Sequence, residues 1–187
     1  MKNYYLLGSV FIFLFFGCAT FAPKASYQFG EIGPGGGIIF YTYTNALGER
    51  FFLEVGPVET EKSLSFGKSA FNLKLSNGGG HGSSNTRDLA TEFKKAGFDS
   101  QSNAILYCDE LIFNDLDDWY LPSADELAVI YERLYMDEIG DFKNSIYWSS
   151  FHDYRGAHYF NFSNGQQLGT IGYENNYLVR PVRRFKQ

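Results

Sequence analysis

The sequence is short of the residues that usually carry covalent or metal chemistry, with two Cys, two Met and three His in 187 residues. Two cysteines cannot build the disulfide scaffold that staples many small exported domains. His81, His152 and His158 stand at no ligand spacing from one another or from a cysteine, which removes the common zinc patterns. Only five prolines occur, and the 20 glycines follow no triplet period, so collagen-like and low-complexity classes fall away. Basic side chains are outnumbered, 16 against 21 acids, for a net charge of -5, and nucleic acid is not an expected partner. Long apolar runs are missing too. The longest, Leu6 to Phe16, has eleven residues, whereas a helix across a bilayer needs about 20.

That run follows Lys2 and ends at Gly17-Cys18, which gives it the layout of an export signal. The stretch resembles the bacterial lipoprotein signal, in which a lipid is attached to a Cys that becomes the first residue of the mature chain. Phe15 stands three before Cys18, where that signal usually has Leu. The alternative is ordinary cleavage after Ala22, which Pro23 disfavours. The expectation is a signal peptide over residues 1–17, lipidation (palmitate) at Cys18, and an exported protein held to the membrane of the cell envelope, at the outer membrane or cell surface. Cys108 is then the one remaining thiol, so no internal disulfide can form. Without residues 1–17 the chain keeps 15 basic and 21 acidic side chains, a net of -6.

Aromatic residues are what the sequence has in excess: 19 Phe, 14 Tyr and 2 Trp, of which 29 remain in the 170 residues after the signal. That length suits one domain with its own core. Residues 18–35 show no period and end in Gly33-Pro34-Gly35-Gly36-Gly37, which reads as a tether, with the domain following over residues 36–187. Ile38–Tyr43 and Phe51–Val55 read as a hairpin with a loop of about six residues. From Gly56 to Ser84 the pattern fades into a long irregular excursion, a feature often tied to function.

Three helices are expected next. The first carries Leu89, Ala90 and Phe93 inward, with Asn85 or Thr86 as cap and Gly97 closing it. The second runs from about Ser102 to Phe113 with Ile105, Cys108, Leu111 and Ile112 inward. The third starts at Ser123, which forms a capping box with Glu126, and runs through Leu127, Ile130, Tyr131 and Leu134 to about Met136. Strands return at 146–150, 157–163, 166–171 and 177–184, with Asn164-Gly165 as a hairpin turn and Pro181 marking an edge or bulge. Strands at both ends and helices between them give an α+β fold with an antiparallel sheet.

Few constellations suggest chemistry. The glycine run at 33–37 opens a strand rather than a helix, so it is not a dinucleotide loop. Asp115, Asp117, Asp118, Asp125 and Glu126 are close in sequence, but EF-hand spacing fails at Trp119, and the local roles are a turn and a helix start. His158 alternates with Phe160 and Phe162 on a packed face. Cys108 lies on the inward stripe of a helix and reads as an inert core thiol. Gly-x-Ser-x-Gly is absent. Trp148 alternates with Ile146 and reads as core. The surface contact candidates are the loop residues Tyr154, Arg155, Tyr173, Asn175 and Asn176, whose apolar faces and hydrogen-bonding tips suit a ligand.

A string of segments then stands out: Gly36-Gly37-Ile38-Ile39-Phe40-Tyr41, Leu53-Glu54, Asp117-Asp118-Trp119-Tyr120-Leu121-Pro122-Ser123 with Glu126-Leu127, Tyr147-Trp148-Ser149-Ser150, Asn161-Phe162-Ser163-Asn164-Gly165, and Val179-Arg180-Pro181-Val182-Arg183. Together they resemble the Lcl C-terminal domain family of bacterial exported proteins, over residues 36 to 184. The resemblance implies a fold similar to C-type lectins and formylglycine-generating enzymes, a twisted antiparallel sheet with two to three flanking helices and long loops. It also implies a lipoprotein or adhesin, as family members often are, and the domain of the family's founding member binds sulfated polysaccharides. The lectin calcium motifs are absent here, and the catalytic relatives use a cysteine pair that this chain lacks. The acidic balance speaks against sulfated polymers unless Arg180, Arg183, Arg184 and Lys186 form a basic patch.

The function expected from the sequence is therefore a lipid-anchored, non-catalytic envelope module that recognises a polysaccharide or a surface protein, with no cofactor and no metal. The alternatives are an enzyme on the formylglycine-generating type of fold and a purely structural envelope lipoprotein.

Overall fold

A computed structural model of the chain describes residues 26–67, 73 and 75–187. The expected signal, Cys18 and the first part of the tether lie outside the described residues. In chain order the first half comprises β1 (Ile38–Thr44), β2 (Arg50–Val55), a 3-10 turn (Val58–Thr60), β3 (Lys62–Ser65), α1 (Gly82–Lys95) and α2 (Ala104–Asp109). The second half comprises β4 (Trp119–Tyr120), α3 (Ala124–Ile130) continued by a π-helical turn (Tyr131–Tyr135), β5 (Ile146–Asp153), β6 (Gly156–Asn161), β7 (Gln166–Thr170), β8 (Asn176–Val179) and β9 (Val182–Lys186). The α+β class holds, with two sheets rather than one. Their orders are β1-β2-β9-β4 and β3-β8-β5-β6-β7, and the second is mixed, since β5 and β8 run parallel.

The single C-terminal strand expected at 177–184 is in fact two strands, one in each sheet. Pro181 lies between them and has no N–H to offer a ladder, while its carbonyl accepts from Gly56 N at 2.8 Å. Arg180 and Pro181 thus make the crossover that joins the sheets. Around this joint sit two cores. Phe66, Leu89, Phe93, Ile105, Cys108 and Trp148 are buried between the second sheet, α1 and α2. Phe40, Leu53, Tyr120, Leu127, Ile130, Tyr147 and Phe162 are buried between the first sheet, α3 and β5–β6.

Several expectations need correction. Residues 26–35 do not behave as a tether. Tyr27 packs edge-on against Phe52 and Phe185, Gly30 N donates to Ile39 O, and Ile32 bridges Ile38, so this segment covers the outer face of the first sheet. The packed domain therefore includes Tyr27 and starts before residue 36. The 56–84 excursion contains β3, which pairs with β8; within that strand only Leu64 is buried and apolar, too little pattern to read as a strand.

Helix α1 begins at Gly82 with His81 as its cap, one turn earlier than expected, and Asn85 and Thr86 lie inside it. Their side chains bind other segments instead: Asn85 grips Ser76, and Thr86 exchanges hydrogen bonds with the backbone of Leu121. Helix α2 is capped by Asn103 and ends at Asp109, which leaves Ile112 72% exposed rather than inward. The capping box of Ser123 and Glu126 is formed as the spacing required.

Candidate functional site

An open cleft of about 590 Å³ lies between the first sheet, the start of α3 and the loop before α1. That volume falls within the range of about 300–1,000 Å³ typical of small-ligand sites. The cleft's floor is set by a bulge in β1, where the register passes from Ile39 opposite Glu54 to Tyr41 opposite Leu53 with Phe40 as the extra residue. A bulge re-aims side chains. Phe40 turns into the core, while Tyr41 and Tyr43 form an aromatic row along the cleft, with ring centroids 6.3 Å apart. Tyr43 stacks on its cross-strand partner Phe51 at 5.3 Å. Aromatic pairs of this kind fix a rigid platform.

Two arginines are interleaved with these rings. The Arg184 guanidinium lies 5.6 Å from the Phe51 ring, and its Nη1 donates to the Tyr43 hydroxyl at 3.4 Å. Arg133, from the turn after α3, lies over both Phe29 and Tyr41, at 5.8 and 5.9 Å. Among the described residues neither arginine has an ion-pair partner, whereas the other cations at the end of the chain do. Arg180 is buried against Glu61, Arg183 against Glu54 and Asp118, and Lys186 meets Glu49. The four residues 180, 183, 184 and 186 thus form no common basic patch; Arg184 alone is left to the cleft.

The opposite wall is built from Gly79, Gly80, His81, Asp125, Glu126 and Val129. Glu126 is 2% exposed and fully engaged. It accepts from Ser123 N at 2.7 Å, Gly80 N at 3.0 Å and the Tyr120 hydroxyl at 3.2 Å. Burial pushes its carboxyl above the ordinary value against the pull of those donors. Tyr120 is likewise pushed up by burial and by Glu126. Glu126 is thus a pin that fastens the Gly80 loop to α3 rather than a free acid. Gly82 leaves no room for another side chain, since a Cβ there would run into Glu126 Oε2 and the Tyr120 ring.

The contact candidates named from the sequence lie elsewhere. Tyr154 is 93% exposed and Arg155 stacks on it at 5.5 Å while pairing with Asp153. Asn175 bonds the Tyr177 hydroxyl, and Asn176 opens β8 opposite Ser65. Tyr173 is corrected outright: it is 8% exposed, packs by Phe66 and bonds His152, because its loop folds over the core between the second sheet, α1 and α2. None of the five lines the cleft, which among the described residues of the 56–84 excursion takes only Gly79, Gly80 and His81. Phe51 and Arg184 are spaced far apart in sequence, and only the pairing of β1, β2 and β9 unites them.

The other expected features settle into structure. Asp118 accepts from Arg183 at 2.7 and 2.9 Å, while Asn114 and Asp115 make a turn with positive φ. Among the described residues no group of three His, Cys, Asp or Glu is arranged to hold a metal ion. Cys108 is fully buried, and burial pushes its thiol well up. The glycine run at 33–37 wraps a buried carboxylate: Glu54 accepts from Gly35 N at 3.2 Å and Gly37 N at 2.7 Å and pairs with Arg183. Compared with known proteins, the chain matches no family model and no curated sequence.

Proposed function

We propose that this chain is a non-catalytic binding module of the bacterial cell envelope that holds a glycan in the aromatic cleft. One observation carries the reading: Tyr41, Tyr43 and Arg184 line the cleft, backed by Phe51 against Tyr43 and by Arg133 over Tyr41, and among the described residues neither arginine has an acidic partner. Sugar rings offer apolar C–H faces that stack on such rings, and guanidinium groups bind hydroxyls or a carboxylate or sulfate on the same glycan. The inert Cys108 and the saturated Glu126 favour binding over chemistry. The two-sheet α+β arrangement is compatible with a C-type-lectin-like fold of the Lcl C-terminal type, which is part of the proposal.

Lipidation at Cys18 would display the module at the membrane, with the cleft carried on the domain that begins a few residues later. The test is a glycan array probed with the full chain, followed by titration calorimetry on the best binder. Saturable binding supports the reading, and absence of any glycan above background contradicts it. Palmitate labelling that disappears in Cys18→Ala supports the anchor; labelling that persists or never occurs contradicts it.

A further inference from the structure

A buried polar chain runs from the exposed β5–β6 turn to the lip of the cleft. Its centre is His158, 1% exposed. The ring Nε2 lies 2.8 Å from Asp153 Oδ1, and Nδ1 lies 3.2 Å from Gln167 Nε2. An amide nitrogen carries only hydrogens, so Nδ1 is the bare, accepting nitrogen and Nε2 bears the proton donated to Asp153. Gln167 Nε2 also donates to Asn77 Oδ1 at 3.1 Å, and Asn77 Nδ2 donates back to Gln167 Oε1 at 3.5 Å. Asp153 is closed from the other side by Arg155, at 2.8 Å.

Asn77 belongs to a segment clamped at both ends. Asn85 holds Ser76, with contacts of 3.1 and 2.6 Å, and Glu126 holds Gly80. Between the clamps lie Asn77, Gly78 and Gly79, and Gly79 lines the cleft. This stretch has two glycines and two local bonds, Gly78 N to Ser76 Oγ at 3.4 Å and His81 N to Gly78 O at 3.2 Å. Among the described residues its ties to other elements are the Asn77–Gln167 amide pair and a hydrogen bond of 3.4 Å from Asp125 N to Asn77 O.

We propose that the charge state of His158 sets the lip of the cleft. The neutral ring holds the Gln167 amide in the orientation that grips Asn77. A proton taken from solvent at Nδ1 places a donor against the donors of Gln167, and the grip on Asn77 is released. Among the described residues the titratable and charged groups facing His158 are Asp153 and His152 from β5 and Arg155 from the turn. From β7 and the loop come the neutral Gln167 and Asn77, while Glu126 and Asp125 stand beyond them at the lip. The device regulates the same cleft and takes its meaning from the binding function proposed above.

Nitrogen-detected NMR of the His158 ring, with amide exchange of Asn77, Gly78 and Gly79, tests this on the full chain across the range where histidines change charge, about pH 5–8. The expected result is a neutral ring protonated at Nε2 at the upper end, and protection of the three amides that falls about tenfold in step with His158 protonation. His158→Gln should abolish that pH response, and Glu126→Gln should keep it. A doubly protonated ring at the upper end, or a ring that stays neutral throughout, overturns the proposal. So does constant protection while the ring titrates, which would mean that both amides turn over together, or a response that survives His158→Gln. No ligand enters the measurement, so its failure and a failure of glycan binding are distinguishable.

Discussion

At the scale of single residues the structure turns on buried charges with their partners in place. Glu54 is 0% exposed and has Gly35, Gly37 and Arg183 as donors. Removing one member of such a set strands the other, so Glu54→Ala is expected to lower stability by about 3–5 kcal/mol, read from urea unfolding. Trp119 gives the opposite expectation. It is buried, yet among the described residues its Nε1 has no hydrogen-bond partner. Trp119→Phe removes an unsatisfied donor as well as some packing, and the two effects should nearly cancel, leaving a change within about 1 kcal/mol in the same measurement. The sequence disclosed the bond between Ser123 and Glu126, because three positions on a helix start are a local matter. It could not disclose Glu54 and Arg183, which meet across 129 positions.

At the scale of elements, local signals were legible where the element itself decides. The end of α1 is an example. Phe98 N donates to Phe93 O and Gly97 N to Lys94 O, with the Phe93 and Phe98 rings in contact at 5.2 Å, which is the Schellman arrangement that Gly97 promised. Gly97 adopts φ +80° and a Cβ there would meet nothing within 4 Å, so Gly97→Ala isolates the conformational cost. A loss of about 1 kcal/mol is expected in thermal or urea unfolding. The start of the same helix departs from the expected cap because Asn85 and Thr86 are good caps by type but are used in tertiary bonds. Strand β3 leaves no sequence signal for a related reason. Its pairing with β8 is non-local, and Lys62-Ser63-Leu64-Ser65 has almost no apolar alternation to announce it.

At the scale of the whole molecule, the charge pattern gives the stability a direction with pH. Burial raises Asp153 and Glu61, but Arg155 and His158 outweigh it at the first and Lys143 and Arg180 at the second, so both carboxyls sit below their ordinary values. A depressed carboxyl stabilises the fold above the unfolded value, about pH 4, and that contribution is lost as pH falls through the folded value. Glu126 runs the other way: raised by burial, it favours the fold at low pH and loses that contribution as pH rises through its folded value. The urea midpoint should therefore fall on the acid side, and Glu61→Gln should flatten that fall.

The candidate site is also a whole-molecule property. The aromatic excess was visible in composition, and loop tyrosines were the natural choice for contact. The bulge at Phe40 and the adjacency of β1, β2 and β9 are what bring strand aromatics and Arg184 to one cleft, and neither leaves a mark in spacing. The most direct test of the account is calorimetric affinity of the full chain for its best array glycan, compared with Tyr43→Ala, Arg184→Ala and Tyr154→Ala. The account predicts at least about a tenfold loss for each of the first two, about 1.4 kcal/mol, and no change for the third. Unchanged affinity in Tyr43→Ala and Arg184→Ala, or a loss confined to Tyr154→Ala, would contradict it.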